Sequence, residues 1–83
     1  MRTSEIIEGM SILLKYYDNP NGYHTGVEND VLFMYTTDRP VSEPDILRLI
    51  ELGWLQDEVV FRGDDGEILV EHYDPKESWI CHI

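Results

Sequence analysis

The residues best suited to chemistry in this sequence are two histidines and the single cysteine, His72, His82 and Cys81. Imidazole and thiolate groups bind zinc, and a cysteine beside a histidine can serve as a nucleophile. Cys81 and His82 are adjacent, however, so they point to opposite faces of any strand that contains them, and no pair has the spacing of a zinc site. Cys81 is better explained as a small core residue. We therefore expect no metal, no cofactor and no enzymatic activity.

Acidic residues are concentrated at positions 57–77, where eight residues are Asp or Glu and only two are Lys or Arg. The GDDGE stretch within it lacks the alternating oxygen ligands and the closing Glu of an EF-hand loop, so a turn is the better interpretation. The whole sequence has six basic and seventeen acidic residues, a net charge of −11. This charge opposes direct binding to nucleic acid or to an anionic membrane, because both require Lys and Arg. It favours a basic protein surface as the partner, although charge of this size also serves solubility alone.

Length and composition indicate one domain that spans residues 1–83. The hydrophobic content of 42% is sufficient for a packed core, and no apolar run approaches the roughly 20 residues that span a bilayer. Glutamates occupy the N-terminal positions where a signal peptide is apolar, and one cysteine excludes an internal disulfide framework. We therefore expect a cytoplasmic protein, located in the host cell if a phage encodes it.

The first helix is predicted to begin at Thr3 or Ser4 as N-cap and to end at the DNPNG stretch, residues 18–22. Its apolar residues recur with helical spacing: Ile6, Ile7, Met10, Leu13, Leu14 and Tyr17. Gly9 costs this helix about 1 kcal/mol relative to alanine, which a close contact with another element would explain.

The second helix is predicted for residues 43–52, with Ser42 as N-cap and Pro44 in the first turn. Gly53 is expected to take a left-handed conformation after the last turn, which folds Trp54 back onto the helix.

Alternating and β-branched residues predict five strands, with a turn at GDDG, residues 63–66. The predicted strands are residues 23–28, 31–36, 59–62, 67–73 and 78–83. Both faces of the second strand are apolar, which indicates a central strand or one covered on both sides. The resulting order is αββαβββ, an α+β fold with an antiparallel sheet packed against two helices.

If residues 67–73 form a strand, Glu67 and Glu71 lie on the same face as Leu69 and Tyr73. Residues two apart on a strand are about 6.7 Å apart, close to the spacing of successive phosphates in a nucleic acid. The acidic hairpin is therefore predicted to imitate a phosphate row or to dock on a basic groove. The candidate acidic contacts are Asp57, Glu58, Asp64, Asp65, Glu67, Glu71, Asp74 and Glu77. Arg62 and Tyr73 are candidate specificity contacts, because interfaces favour Arg and Tyr.

Three segments, IIEGMSILLKYY (6–17), LIELGWLQDE (49–58) and ESWICHI (77–83), resemble a group of small uncharacterised phage and prophage proteins. Those proteins are similar in having an I-E-G helix, a mid-sequence E-x-D turn, an LGW-x-x-D-E segment and a terminal S-W strand. This sequence departs from them by carrying residues 59–74 between the last two motifs. The resemblance implies a mobile-element origin, but it implies no activity and no catalytic residue.

In size and charge the protein is also similar to phage DNA mimics, such as uracil-DNA glycosylase inhibitor and some anti-CRISPR proteins, although no motif is shared. The sequence therefore favours an acidic inhibitor of a host nucleic-acid-binding defence complex, of the anti-CRISPR or anti-restriction kind. Its expected partner is a basic surface of a host protein or nucleoprotein complex. The alternative is a structural or regulatory module that self-associates, as a homodimer, through exposed apolar strand surface.

Overall fold

A computed structural model describes all 83 residues and shows two helices with one four-stranded antiparallel sheet. The elements in sequence order are α1 (Thr3–Leu14), β1 (Thr25–Glu28), β2 (Val31–Met34), α2 (Glu43–Leu52), β3 (Leu55–Gln56) and β4 (Trp79–His82). A 3₁₀ turn, Val70–His72, precedes β4. The α+β class predicted from the sequence is confirmed.

The strands of the sheet lie in the order β1-β2-β4-β3, so β2 and β4 are central. A tight turn joins β1 to β2, and its two central residues, Asn29 and Asp30, have positive φ values of 50° and 63°. These residue types tolerate the left-handed region better than most, which explains the short connection. The central position of β2 agrees with its apolar alternation, although both β1 and β2 are shorter than predicted.

Helix α2 has the boundaries that its sequence predicts. The carbonyl of Ser42 accepts a hydrogen bond from the backbone N–H of Ile46 at 2.9 Å. At the other end Gly53 has a φ of 100°, and the N–H of Trp54 donates to the carbonyl of Leu49 at 2.9 Å. This bond reverses the backbone direction and buries the Trp54 indole completely.

Helix α1 begins at Thr3, close to its predicted start, but it ends earlier than predicted. Its N-cap is Arg2, one position before the predicted cap, because the Glu5 carboxylate accepts the backbone N–H of Arg2 at 3.0 Å and caps the first turn there. It ends at Leu14, several residues before the DNPNG stretch. Ile7 and Leu14 are exposed, because the rest of the fold covers only a narrower stripe of the helix.

Gly9 lies directly against the Trp54 indole, whose N–H donates to the backbone carbonyl of Glu5 at 3.3 Å. A Cβ atom at Gly9 would be 2.0 Å from Nε1 of Trp54, which is far inside van der Waals contact. The glycine therefore permits the close approach that joins α1 to the end of α2, and this contact explains the glycine within the helix.

One hydrophobic core joins both helices to the inner face of the sheet. It consists of Leu13, Tyr17, Met34, Val41, Ile46, Leu49, Ile50, Leu52, Trp54, Phe61, Trp79 and Cys81. Cys81 is completely buried in it, as predicted for a small core residue.

The predicted hairpin of residues 59–62 and 67–73 forms only next to its turn, and the two strands predicted for it do not form. The turn itself is confirmed. Gly66, with a φ of 82°, donates its N–H to the carbonyl of Gly63 at 3.0 Å. The flanking residues form a single bridge, Arg62 with Ile68, and the backbone then continues into the 3₁₀ turn.

Aromatic packing explains why the ladder does not extend. The rings of Phe61 and Tyr73 both stack on the ring of Trp79, with centroids 5.8 Å and 6.2 Å away. The 3₁₀ turn at Val70–His72 directly precedes Tyr73, whose ring stacks on Trp79, so the segment curls over the core. A short strand that the sequence did not predict, β3, pairs with β4 instead.

Replacing Gly9 with alanine should destabilise the protein, although alanine favours a helix by about 1 kcal/mol. The added Cβ overlaps the Trp54 indole, and such overpacking costs about 1–3 kcal/mol. Chemical unfolding of Gly9→Ala measures the net loss.

The control is Ser11→Ala on the exposed side of α1, which should leave the stability unchanged or slightly raised. A Gly9→Ala variant as stable as Ser11→Ala would contradict the close contact between α1 and Trp54.

Candidate functional site

Residues 57–77, the acidic segment, connect β3 to β4 and contain all ten candidate contact residues. The exposed ones are Asp57, Glu58, Arg62, Asp64, Asp65, Glu67 and Glu71, whereas Tyr73, Asp74 and Glu77 are half-buried. Asp64 and Asp65 lie together at the tip of the turn. Because Glu71 is in the 3₁₀ turn, it does not share a strand face with Glu67, and the evenly spaced carboxylate row is not formed.

Internal salt bridges involve none of the carboxylates of the acidic segment. Arg48 binds Glu8 at 2.5 Å and Glu51 at 3.3 Å, Lys15 binds Asp45 at 2.8 Å, and Arg39 binds Asp18. The hydrogen bond from Arg48 lowers the pKa of Glu8, and the hydrogen bond to Asp45 raises the pKa of Lys15. Half of the basic residues of the protein are thus occupied by carboxylates outside the acidic segment.

The two basic residues inside the acidic segment do not compensate its charge. The Arg62 guanidinium reaches only the backbone carbonyl of Gly66, at 3.4 Å, and Lys76 forms no salt bridge. Eight carboxylates and two bases therefore leave a local excess of negative charge that no other part of the protein neutralises. This excess is a property of the folded surface as well as of the composition.

Two of the candidate residues also anchor the segment. The Tyr73 hydroxyl accepts the backbone N–H of Val41 at 3.0 Å, and its ring stacks on Trp79. The buried amide of Gln56 donates to the carbonyl of Asp74 at 2.7 Å and accepts the Asp74 N–H at 2.9 Å. These contacts assign Tyr73 to the support of the segment, with its hydroxyl directed into the protein. Arg62 is exposed, and its contact with a partner stays a prediction.

A cleft that the sequence did not predict lies on the outer face of the sheet, the face opposite the helices. Its volume is about 440 Å³. Its apolar floor consists of Val31 and Phe33 from β2 and Ile80 from β4, and three carboxylates surround it: Glu28, Asp57 and Glu77. The sequence signal for it is the apolar alternation on both faces of β2, which equally indicates a central or covered strand. No element covers the outer face.

The histidines and the cysteine do not converge. Cys81 is completely buried whereas His82 on the other face of β4 is exposed, as their adjacency predicts. Burial raises the pKa of the Cys81 thiol. His72 lies elsewhere, with Nδ1 2.8 Å from the carbonyl oxygen of Val60. No group of three or more His, Cys, Asp or Glu residues is placed to hold a metal ion, and the absence of enzymatic activity stays a prediction.

Comparisons of the sequence and the fold with protein-family models, with curated proteins and with solved structures find no match. The resemblance to phage and prophage proteins therefore stays a prediction. Neither helix has the length and the apolar composition that a bilayer-spanning helix requires.

Replacing Tyr73 with phenylalanine should lower the melting temperature while partner binding is retained. The variant keeps the stacked ring but leaves the backbone N–H of Val41 without its acceptor, which costs about 1–3 kcal/mol. In a domain of this size each kcal/mol corresponds to roughly 4–8 °C. Tyr35→Phe is the control, because the half-exposed Tyr35 hydroxyl has no partner within the protein. Equal melting temperatures for the two variants would exclude the anchoring role of Tyr73.

Treatment with a chelating agent should leave the melting temperature unchanged, because the residues that could bind a metal do not converge. Metal analysis after dialysis provides an independent measurement. A stoichiometric metal that survives dialysis would contradict this prediction and would direct attention to His72 and His82.

Proposed function

We propose that this molecule is a non-catalytic binding protein that inhibits a nucleic-acid-binding protein or nucleoprotein complex by covering its basic surface with the acidic segment. The observation that carries the proposal is the absence of internal salt bridges for the eight carboxylates of residues 57–77. Surfaces that bind nucleic acid expose Lys and Arg for the phosphates, so they are complementary to this segment.

The binding energy is collective. An exposed ion pair contributes only about 0–1 kcal/mol, so one carboxylate would not distinguish this surface from any acidic surface. Several carboxylates that face one basic groove add their contributions, and they also accelerate association through long-range attraction. The anchors at Gln56 and Tyr73 hold parts of the segment in place, which reduces the entropy that is lost on binding.

The proposal requires charge complementarity and does not require an exact copy of the phosphate spacing. The even row of carboxylates depends on a strand at residues 67–73, and this strand is replaced by the 3₁₀ turn. A cluster at the turn and along the exposed segment can still occupy the site of a nucleic acid on a basic groove. The resemblance to phage proteins favours a host defence complex as the target, of the anti-CRISPR or anti-restriction kind.

The test is capture of a partner from nuclease-treated host lysate by the immobilised protein, followed by identification and affinity measurement with the purified partner. Glu67→Gln with Glu71→Gln should weaken binding about 2-fold to 30-fold, since two exposed pairs are lost. Added double-stranded DNA or RNA should compete with the protein for the same partner.

The matched control is Asp30→Asn with Glu43→Gln. This pair also removes two negative charges, and neither carboxylate forms a salt bridge. Binding should be retained in the control. Equal loss in both pairs would show that total charge acts without a defined surface, and a partner that does not bind nucleic acid would exclude the proposed inhibition.

A further inference from the structure

We propose that the cleft on the outer face of the sheet binds a segment of the basic partner in which an apolar residue is flanked by Lys or Arg. That the bound segment is positively charged rests on the proposed function. That it contains an apolar residue follows from the apolar floor of the cleft alone. The cleft and the tip of the acidic segment are different parts of the surface, so they can be tested separately.

The floor of the cleft is preformed. Phe33 pairs with Ile80 across β2 and β4, and both residues are half-buried although no element covers them. The Phe33 ring lies over Gly26 of β1, where a Cβ atom would be 2.4 Å from Cζ of the ring. Tyr35 packs edge-on against the same ring, at a centroid distance of 5.3 Å. The glycine thus lets Phe33 lie flat, which produces an apolar floor.

The rim of the cleft carries the charge. Glu28 ends β1, Asp57 follows β3 and Glu77 precedes β4, so three separate parts of the sequence place carboxylates around one apolar floor. None of the three is in a salt bridge. With a volume of about 440 Å³ the cleft is open to solvent, so it can take a side chain laid across the floor. Lys and Arg suit this site, since their stems pack on apolar surface while their charged ends reach the rim.

Charge complementarity selects this occupant over the others. A second copy of the protein would bring another net charge of −11 to the same rim, and like charges in close contact are unfavourable. Nucleic acid is excluded from the rim for the same reason. A neutral apolar ligand would fill the floor but would leave three carboxylates desolvated without partners. A basic segment with an apolar residue packs that residue on the floor and pairs its charges with the carboxylates of the rim.

The test uses two synthetic probes, a hexapeptide that alternates Lys with Leu and the same peptide with Ser in place of Leu. Amide chemical shifts and calorimetry with the intact protein should show that the Leu peptide perturbs β2 and β4 around Phe33 and Ile80. The Leu peptide should bind about tenfold more tightly than the Ser peptide, because one leucine is buried.

Two variants test the floor and the rim. Phe33→Ala should remove the advantage of the Leu peptide, whereas Ile7→Ala, at an exposed apolar residue of α1, should not. Because Phe33→Ala can weaken the fold, Asp57→Asn with Glu77→Gln provides a second variant. Neither of these two carboxylates is in a salt bridge, so this pair should lower the affinity for the Leu peptide without a change in melting temperature.

The outcomes separate this inference from the proposed function. Equal binding of the two peptides, or binding of neither, would overturn the cleft as a docking site and leave the role of Glu67 and Glu71 intact. Binding of the Leu peptide in the cleft, together with unchanged partner capture by the Glu67→Gln and Glu71→Gln variant, would overturn the proposed function alone. A dimer in sedimentation that Phe33→Ala dissociates would overturn the inference in favour of a second copy.

Discussion

The packing of Phe61 and Tyr73 on Trp79 is the contact on which the shape of the C-terminal half of the protein depends. Trp79 lies on the central strand β4 and is almost completely buried, so the two rings that stack on it are held at the core. These rings lie on either side of the turn at residues 63–66. Because both face inward, the residues around them curl over the core and present their carboxylates outward. The acidic surface is therefore a consequence of aromatic packing as much as of the number of Asp and Glu residues.

The contrast between α2 and the acidic segment shows which parts of this fold can be predicted from the sequence. The signals for α2 are local: Pro44 fits the first turn and Gly53 takes the left-handed conformation that ends the helix, and the helix has the predicted bounds although the Ser42 hydroxyl does not cap it. The turn at residues 63–66 is local for the same reason. The predicted strand at residues 67–73 is wrong because its alternation competes with a contact to Trp79 that a local pattern does not reveal. Gly9 is an intermediate case. The free energy that a glycine costs a helix suggests a close contact at this position, but only the structure identifies Trp54 as the contacting residue.

Salt bridges between the two helices keep several basic residues away from the acidic segment. Arg48 on α2 reaches Glu8 on α1, and Lys15 after α1 reaches Asp45 on α2, so these exposed pairs lie across the helix pair. Each contributes little to stability in water. Their larger consequence is electrostatic, because they occupy basic residues near the helices, so that Arg62 and Lys76 are the only basic residues within the acidic segment. The candidate acidic residues could be predicted from the sequence composition. Which carboxylates form salt bridges and which do not could be seen only in the folded structure.

The open outer face of the sheet has a geometric cause. A four-stranded sheet has two faces, and in this fold both helices contribute to the core on one of them. Neither helix lies on the other face, and the acidic segment folds onto Trp79 on the core side. Val31, Phe33 and Ile80 are therefore left half-exposed, and the polar residues around them are Glu28, Asn29, Asp57, Glu77, Ser78 and His82. An apolar alternation on both faces of β2 has two explanations, a central position in the sheet or a covering layer. β2 is central, which accounts for the pattern without a partner. The docking proposed for the cleft therefore depends on the floor and the rim themselves, because the alternation does not distinguish a central strand from a strand that a partner covers.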